Sequence, residues 1–216
     1  EGISFMLLDM KSPGVSVKPI ITLDGSHYIN MVYLEDVFIP HKNLIYEENK
    51  GWTVAKYLLG HERTNNAQVA SSKKALSKIR KIAKLKINGT YSLSEDKRFI
   101  DKLANCDLRL QALEYDLIKV ISNEIKGISP GVEANMLKIR GSEIQQEITE
   151  LVLEASGYYA NSIQNNIIEI GMNEPKVGPS WTSTSAQKYF DMRKTTIYAG
   201  STEIQKNILA KMVLEL

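Results

Sequence analysis

The chain has 216 residues, 43% hydrophobic and 24% charged, and its 27 basic against 25 acidic side chains leave a formal net charge of +2. This composition belongs to a folded globular protein and excludes disordered, collagen-like and large multidomain chains. So even a balance exerts no overall pull toward nucleic acid, and no nucleic-acid partner is expected.

The single cysteine, Cys106, excludes an internal disulfide and a multi-thiolate metal centre, which favours a reducing, cytoplasmic setting. No apolar run approaches the roughly 18 residues of a membrane span, so none is expected.

Apolar runs at 3–8, 15–23 and 28–38, rich in Val, Ile and Tyr, predict three short strands. Ser12-Pro13-Gly14 and Asp24-Gly25-Ser26 are the turns expected to join them as consecutive antiparallel neighbours. Three short strands do not cover both faces of a sheet, so the segment reads as a β remnant that pairs elsewhere or lies on helices. The chain opens at Glu1 already in strand pattern, which reads as a piece of a longer protein. Pro40 and Glu47-Glu48-Asn49-Lys50-Gly51 close this part.

From Trp52 the apolar period changes from two to about 3.6. One helix is predicted over 52–85, with Val54, Leu58, Val69, Leu76, Ile79 and Ile82 on its apolar side and a lysine-rich second half whose charges suit a helix C-terminus. Ser92-Leu93-Ser94-Glu95 has capping-box spacing and opens a second helix, where Phe99, Cys106, Leu113 and Val120 recur every seven residues beside Leu103, Leu110 and Leu117. Gly127 stops it. Ser129-Pro130 then starts a third helix, carrying Leu137, Ile144, Ile148, Leu151 and Ala155 and ending at Gly157. After a looser stretch, shorter helices are expected over 183–194 and 202–214. Together these elements predict a mainly α fold, an antiparallel helical bundle over 49–216 preceded by the short antiparallel β remnant of 1–48.

Phosphate-loop, dinucleotide-fingerprint, paired-cysteine and nucleophile-elbow motifs are absent. His61-Glu62 begins like a zinc-protease helix, but Asn65 stands where the second histidine is needed, and no metal site is expected. Glu62 follows Leu58 by four and Leu59 by three, near the apolar face. A carboxylate there is partly desolvated and suited to accept a proton, although a plain salt bridge explains the spacing equally well and is the simpler reading. The segment from Tyr198 through Ala199, Gly200, Ser201, Thr202 and Glu203 to Gln205 is a glycine-containing loop entering a helix. Such a start can hold an anion, and Thr202 with Gln205 has the spacing of a simple capping box.

Three segments, in this order, carry a family resemblance: 36–52, leaving the β part; Leu59-Gly60-His61-Glu62-Arg63-Thr64; and 198–205. The chain resembles the C-terminal portion of the acyl-CoA dehydrogenase family, with the end of the middle β-domain at 1–48 and the C-terminal helical domain at 49–216. The resemblance implies FAD as cofactor, an acyl-CoA substrate, a trans-2-enoyl-CoA product, a place in fatty acid metabolism and an electron-transfer flavoprotein as acceptor. Many members carry the proton-abstracting glutamate just before the loop glycine, where this chain has Ala199. A subset carries it on the first bundle helix instead, and Glu62 matches that place, which makes it the expected base. Arg63 matches a position near CoA and the base. Tyr198 and Gly200 fall where the family contacts substrate, and Ser201 and Glu203 where it contacts flavin. The family's Arg-x-x-Phe-Gly has no counterpart at 86–89, and Leu151, Glu154 and Ala155 replace its glutamine and paired glycines. These departures resemble members built from two different subunits, so a homo- or hetero-oligomer is expected, with a non-catalytic subunit as the alternative role.

Overall fold

A computed structural model gives the fold and describes residues 2–62, 65–86, 92–128, 131–162, 164 and 175–214. The chain forms two compact units, Glu1–Arg63 and Thr64–Leu216.

In the first unit, strand β1 (Phe5–Met6) pairs antiparallel with β4 (Leu44–Ile45), and β2 (Val15–Ile21) pairs antiparallel with β3 (His27–Leu34). The hairpin register runs from Val15 opposite Leu34 to Ile20 opposite Ile29 and shifts before Ile21 opposite His27. The turn expected at Asp24-Gly25-Ser26 forms, closed by Thr22 N–H donating to Ser26 O at 2.9 Å and Gly25 N–H to Thr22 O at 2.9 Å. Ser12-Pro13-Gly14 instead brings β2 back beside the end of β3, where Glu35 N–H donates to Gly14 O at 3.0 Å. Sequence-adjacent pairing of the first two strands is therefore corrected: β1 takes the distant β4, because local turn chemistry does not specify nonlocal partners. Helix α1 (Gly51–Glu62) belongs to this unit, and its start is tied to the chain's beginning by Gly51 N–H donating to Ile3 O at 2.8 Å.

The second unit is a helical bundle. Helices α2 (Val69–Ala83), α3 (Lys97–Ile125) and α4 (Glu133–Ser156) pack on one another, and α5 (Ser185–Met192) and α6 (Thr202–Val213) pack on α4. Ion pairs display the antiparallel sense. As α2 advances from Lys73 to Arg80, the partners on α3 retreat from Glu114 (2.8 Å) to Asp107 (2.7 Å). As α3 advances from Lys102 through Arg109 to Lys119, the partners on α4 retreat from Glu154 through Glu147 to Glu133. These pairs are solvent-exposed and contribute little. Stability comes from the apolar seam, in which Leu76, Ile79, Phe99, Cys106, Leu110, Leu113, Leu137, Ile144 and Leu151 are almost wholly excluded from water. Every α3 and α4 position expected on the seam is buried, apart from half-buried Leu117.

The single helix expected over 52–85 is two helices. A 3-10 turn at Asn65–Ala67 separates α1 from α2, and Gln68 takes a left-handed φ of 49°. Within that turn Gln68 Nε2 donates to Asn65 O at 2.9 Å. Ala67 is fully buried against α4, where a Cβ on Gly141 would lie 2.8 Å from the Ala67 backbone. The expected capping box at Ser92 and Glu95 forms a separate 3-10 turn, Leu93–Glu95. Asp96 caps α3, accepting from Arg98 N–H at 2.9 Å and Phe99 N–H at 3.4 Å. At the other end, Gly127 N–H donates to Glu124 O and Ile128 N–H to Asn123 O, both at 2.9 Å, which is a Schellman closure. The expected cap at Ser129-Pro130 lies outside the described residues. Among the described residues, no helix is long and apolar enough to cross a membrane.

Cys106 lies in the seam with no exposed surface, and burial pushes its thiol up to about 12; the nearby Glu147 raises it further and Arg109 opposes the rise. The reactive thiolate is thus suppressed until well above neutral pH. In a thiol-modification assay at pH 8, Cys106 is expected to stay unlabelled in the native protein and to react fully in denaturant. Rapid native labelling would contradict the burial.

Candidate functional site

The loop that enters α6 is built by the chain before it. After α5, a 3-10 turn at Arg193–Thr196 runs into Ile197 and Tyr198, whose N–H groups donate back to Lys194 O at 2.9 and 3.1 Å. Ala199 and Gly200 follow with φ of 54° and 82°, two successive left-handed residues that turn the chain into the helix. For Ala199 this conformation costs about 1 kcal/mol, so the surroundings must impose it. Tyr198 remains half-exposed.

Those surroundings are a polar clamp between α4 and the 3-10 turn. Arg193 donates from Nε to Tyr189 O at 3.0 Å, and from Nη2 to Gln146 O at 3.1 Å and Thr149 Oγ1 at 3.0 Å. It also pairs through Nη1 with Glu150 at 2.9 Å and stacks 4.2 Å from the centre of the Tyr189 ring. The Gln146 amide reaches the carbonyls of Met192 and Arg193, each at 3.2 Å. Thr195 is buried and donates to Met192 O at 2.8 Å. Composition and periodicity did not single out Gln146 or Arg193. The available signal was Arg193 standing five residues before Tyr198, with Gln146 two residues before the seam position Ile148.

At the start of α6, Ser201 is the N-cap, accepting from Ile204 N–H at 3.3 Å. This corrects the expected capping box: Thr202 is already the first helical residue, so its hydroxyl points inward instead of back along the helix. Thr202 is buried, and its Oγ1 has no hydrogen-bond partner among the described residues. Helix geometry leaves the first-turn N–H groups of Thr202 and Glu203 without intrahelical acceptors, the arrangement that favours an anion. The Glu203 carboxylate is held below the usual range, first by its own backbone N–H and then by the Ser201 hydroxyl. Glu203 also feels Lys138 of α4, a residue 4% exposed whose Nζ has no hydrogen-bond partner among the described residues. Burial pushes the Lys138 ammonium below the ordinary lysine range, and Glu203 partly restores it.

The structure thus brings together Tyr198, Gly200, Ser201 and Glu203 at one loop-to-helix junction. Glu62 is the last residue of α1; its side chain, and all of Arg63, lie outside the described residues. Elsewhere, an open groove of about 520 Å³ between α3 and α4 is walled by Glu143, Glu147, Glu150 and Glu154 opposite Lys102 and Arg109. Four carboxylates make it a poor seat for an anionic ligand. Among the described residues, no three His, Cys, Asp or Glu side chains are grouped to hold a metal ion.

Residues 49–214 match the family profile described as "Acyl-CoA dehydrogenase, C-terminal domain". Over 218 residues the chain is 26% identical to the acyl-CoA dehydrogenase IpdE1 of Mycolicibacterium smegmatis, covering 100% of this chain and 49% of IpdE1. It is 27% identical to CarC, a subunit of the caffeyl-CoA reductase-Etf complex of Acetobacterium woodii, covering 100% of this chain and 53% of CarC. The fold resembles that of the ChsE4-ChsE5 complex from Mycobacterium tuberculosis, with a TM-score of 0.79 and 24% identity over 99% of this chain and 53% of that one. The chain therefore spans about half the length of these relatives.

Proposed function

The chain belongs to the acyl-CoA dehydrogenase family, and from that membership we propose that it serves the α,β-dehydrogenation of an acyl-CoA thioester to a trans-2-enoyl-CoA. The profile match across 49–214 carries this reading. Under it, residues 1–48 are the end of the β-domain and 49–216 the helical domain. FAD, when bound, supplies the acceptor for the β-hydrogen, which leaves as hydride. Glu62 takes the α-proton onto its carboxylate, because Ala199, standing where many members carry the base, has no group that accepts one. Arg63 lies beside that base and favours the CoA moiety. Tyr198 and the Gly200 backbone border the thioester, and Ser201 and Glu203 hold the cofactor side of the loop. The junction suits a phosphate-bearing cofactor: among the described residues the buried Thr202 hydroxyl is a donor without an acceptor, at a helix start whose dipole favours an anion. An electron-transfer flavoprotein is the proposed electron acceptor, supported by CarC's place in an Etf complex.

One observation favours a second reading, a subunit that completes a partner's site. Glu154, at a place where the family's dinucleotide contacts are expected, is engaged with Lys102 at 2.9 Å on the solvent-exposed flank of the bundle. The visible absorption spectrum of the purified protein, alone and with a panel of acyl-CoAs, separates the two. A flavin spectrum that bleaches with one acyl-CoA is expected from the dehydrogenase. A colourless protein that gains flavin only with a second subunit supports the other reading. Flavin that no acyl-CoA reduces overturns the proposed reaction.

A further inference from the structure

Positive charge is concentrated on helix α2. No Asp or Glu occurs from 63 to 94, while Lys73, Lys74, Lys78, Arg80 and Lys81 lie on α2 and Lys84 is its C-cap, all of them exposed. The other side of the helix is committed to the bundle, where Leu76, Ile79, Ile82 and Ala83 are buried. A favourable helix end accounts only for Arg80, Lys81 and Lys84, because α2 begins at Val69 and so places Lys73 and Lys74 in its N-terminal half. Two of the cations are neutralised by α3, Lys73 by Glu114 and Arg80 by Asp107. Lys74, Lys78, Lys81 and Lys84 form no ion pair among the described residues. The first three follow at i, i+4 and i+7, so they project from one side of the helix over about 10 Å and repel one another.

The chemistry of this side selects among anionic partners. It is a convex helix face away from the open groove between α3 and α4, so it does not enclose a discrete phosphate. Arg80 is the one arginine of α2 and is held by Asp107, and α2 has no aromatic residue, so nucleic acid is offered neither a guanidinium fork nor a stacking ring. A second copy has little to give, because Glu143, Glu147, Glu150 and Glu154 on its α4 already hold cations at 3.0 Å or less. A laterally continuous negative surface is different, since point charges on flexible stems meet it without fixed geometry. Four unpaired lysines along an amphipathic helix are the pattern that adsorbs to anionic lipid headgroups. Leu85, half exposed in the turn where its N–H donates to Ile82 O at 2.9 Å, adds an apolar side chain at the end of the row. We propose that the lysine face of α2 docks the protein on an anionic membrane surface, through Lys74, Lys78, Lys81 and Lys84, while the apolar side of α2 stays in the bundle. This surface is separate from the proposed active site and does not depend on the reaction assigned to it.

The test is co-sedimentation of the protein with vesicles of phosphatidylcholine, with and without phosphatidylglycerol. Wild type is expected to bind the anionic vesicles at low salt, to ignore the neutral ones, and to come off in about 1 M salt, where the screening length is about 3 Å. A triple variant, Lys74→Gln, Lys78→Gln and Lys81→Gln, should partition about 100-fold more weakly, since each lysine near such a surface contributes about fivefold. It should also melt no lower than wild type, because it removes repelling charges that hold no partner. A second triple variant, Lys11→Gln, Lys42→Gln and Lys50→Gln, loses the same charge from exposed positions of the first unit and should bind within a few-fold of wild type. Equal weakening in the two variants overturns the proposal by showing an effect of net charge alone. So does wild type that binds neutral and anionic vesicles alike. Wild type that ignores both vesicles overturns it too, and if the same protein retards single-stranded RNA in a gel, the face belongs to nucleic acid.

Discussion

Replacing Glu62 with Gln is expected to lower turnover by about 10²- to 10⁴-fold, the range contributed by a positioned general base. The amide keeps nearly the same shape and hydrogen-bonding reach but takes no proton from the α-carbon, so substrate binding should survive while chemistry stops. The measurement pairs flavin bleaching with exchange of the substrate's α-hydrogen against deuterated water. Bound substrate with neither bleaching nor exchange is the expected result. Exchange at the wild-type rate would assign the base elsewhere and sink the reading of Glu62. Under the proposed function Ala199 gives the prediction its weight, because the family resemblance puts this methyl-bearing residue where many members carry the acid.

Replacing Arg193 with Lys is expected to destabilise the second unit by about 2–3 kcal/mol, although the charge is kept. The guanidinium serves Tyr189 O, Gln146 O and Thr149 Oγ1 at once from a planar fork and lies over the Tyr189 ring, whereas an ammonium is a single point with no flat face. The pair with Glu150 contributes little of this, since that carboxylate is mostly in water. Urea unfolding measures the loss. Hydrogen exchange at the amides of 197–204 should accelerate in parallel, because the clamp holds the turn from which Tyr198, Ala199 and Gly200 depart. Wild-type stability and exchange in Arg193→Lys would show that charge alone holds this segment.

The bundle's inner faces were legible in the amino-acid order. Phe99, Leu103, Cys106, Leu110, Leu113 and Val120 recur at helical spacing, and the side facing the core follows from that period alone. The stops were legible as well: Gly127 closes α3 because a glycine accepts the left-handed turn its last carbonyls require. Family membership, through 36–52, 59–64 and 198–205, was equally present in the sequence, since local motifs carry it.

Other features depended on residues far apart in the chain. The turn ahead of α2 seats Ala67 against Gly141, a contact across more than seventy positions that no local window contains. Pairing of β1 with β4 is of the same kind. Ser201 displaced Thr202 as the cap of α6 because the two left-handed residues before it fix where the helix begins, and both candidates have acceptable capping chemistry. Lys138 was the least visible: a lysine on a helix ordinarily points to water, and only the small neighbours Ala134, Gly141 and Ser142 hinted at a second packed face. The sequence by itself determined which residues of α3 and α4 face inward, where most helices stop and which family the chain resembles, because periodicity, capping and motifs are encoded within a few residues; Leu58 of α1, expected on an apolar face, is instead half exposed. The tertiary structure alone decided which side chains the loop leans on and which polar groups are buried without a partner, because burial is a property of neighbours that distant segments supply.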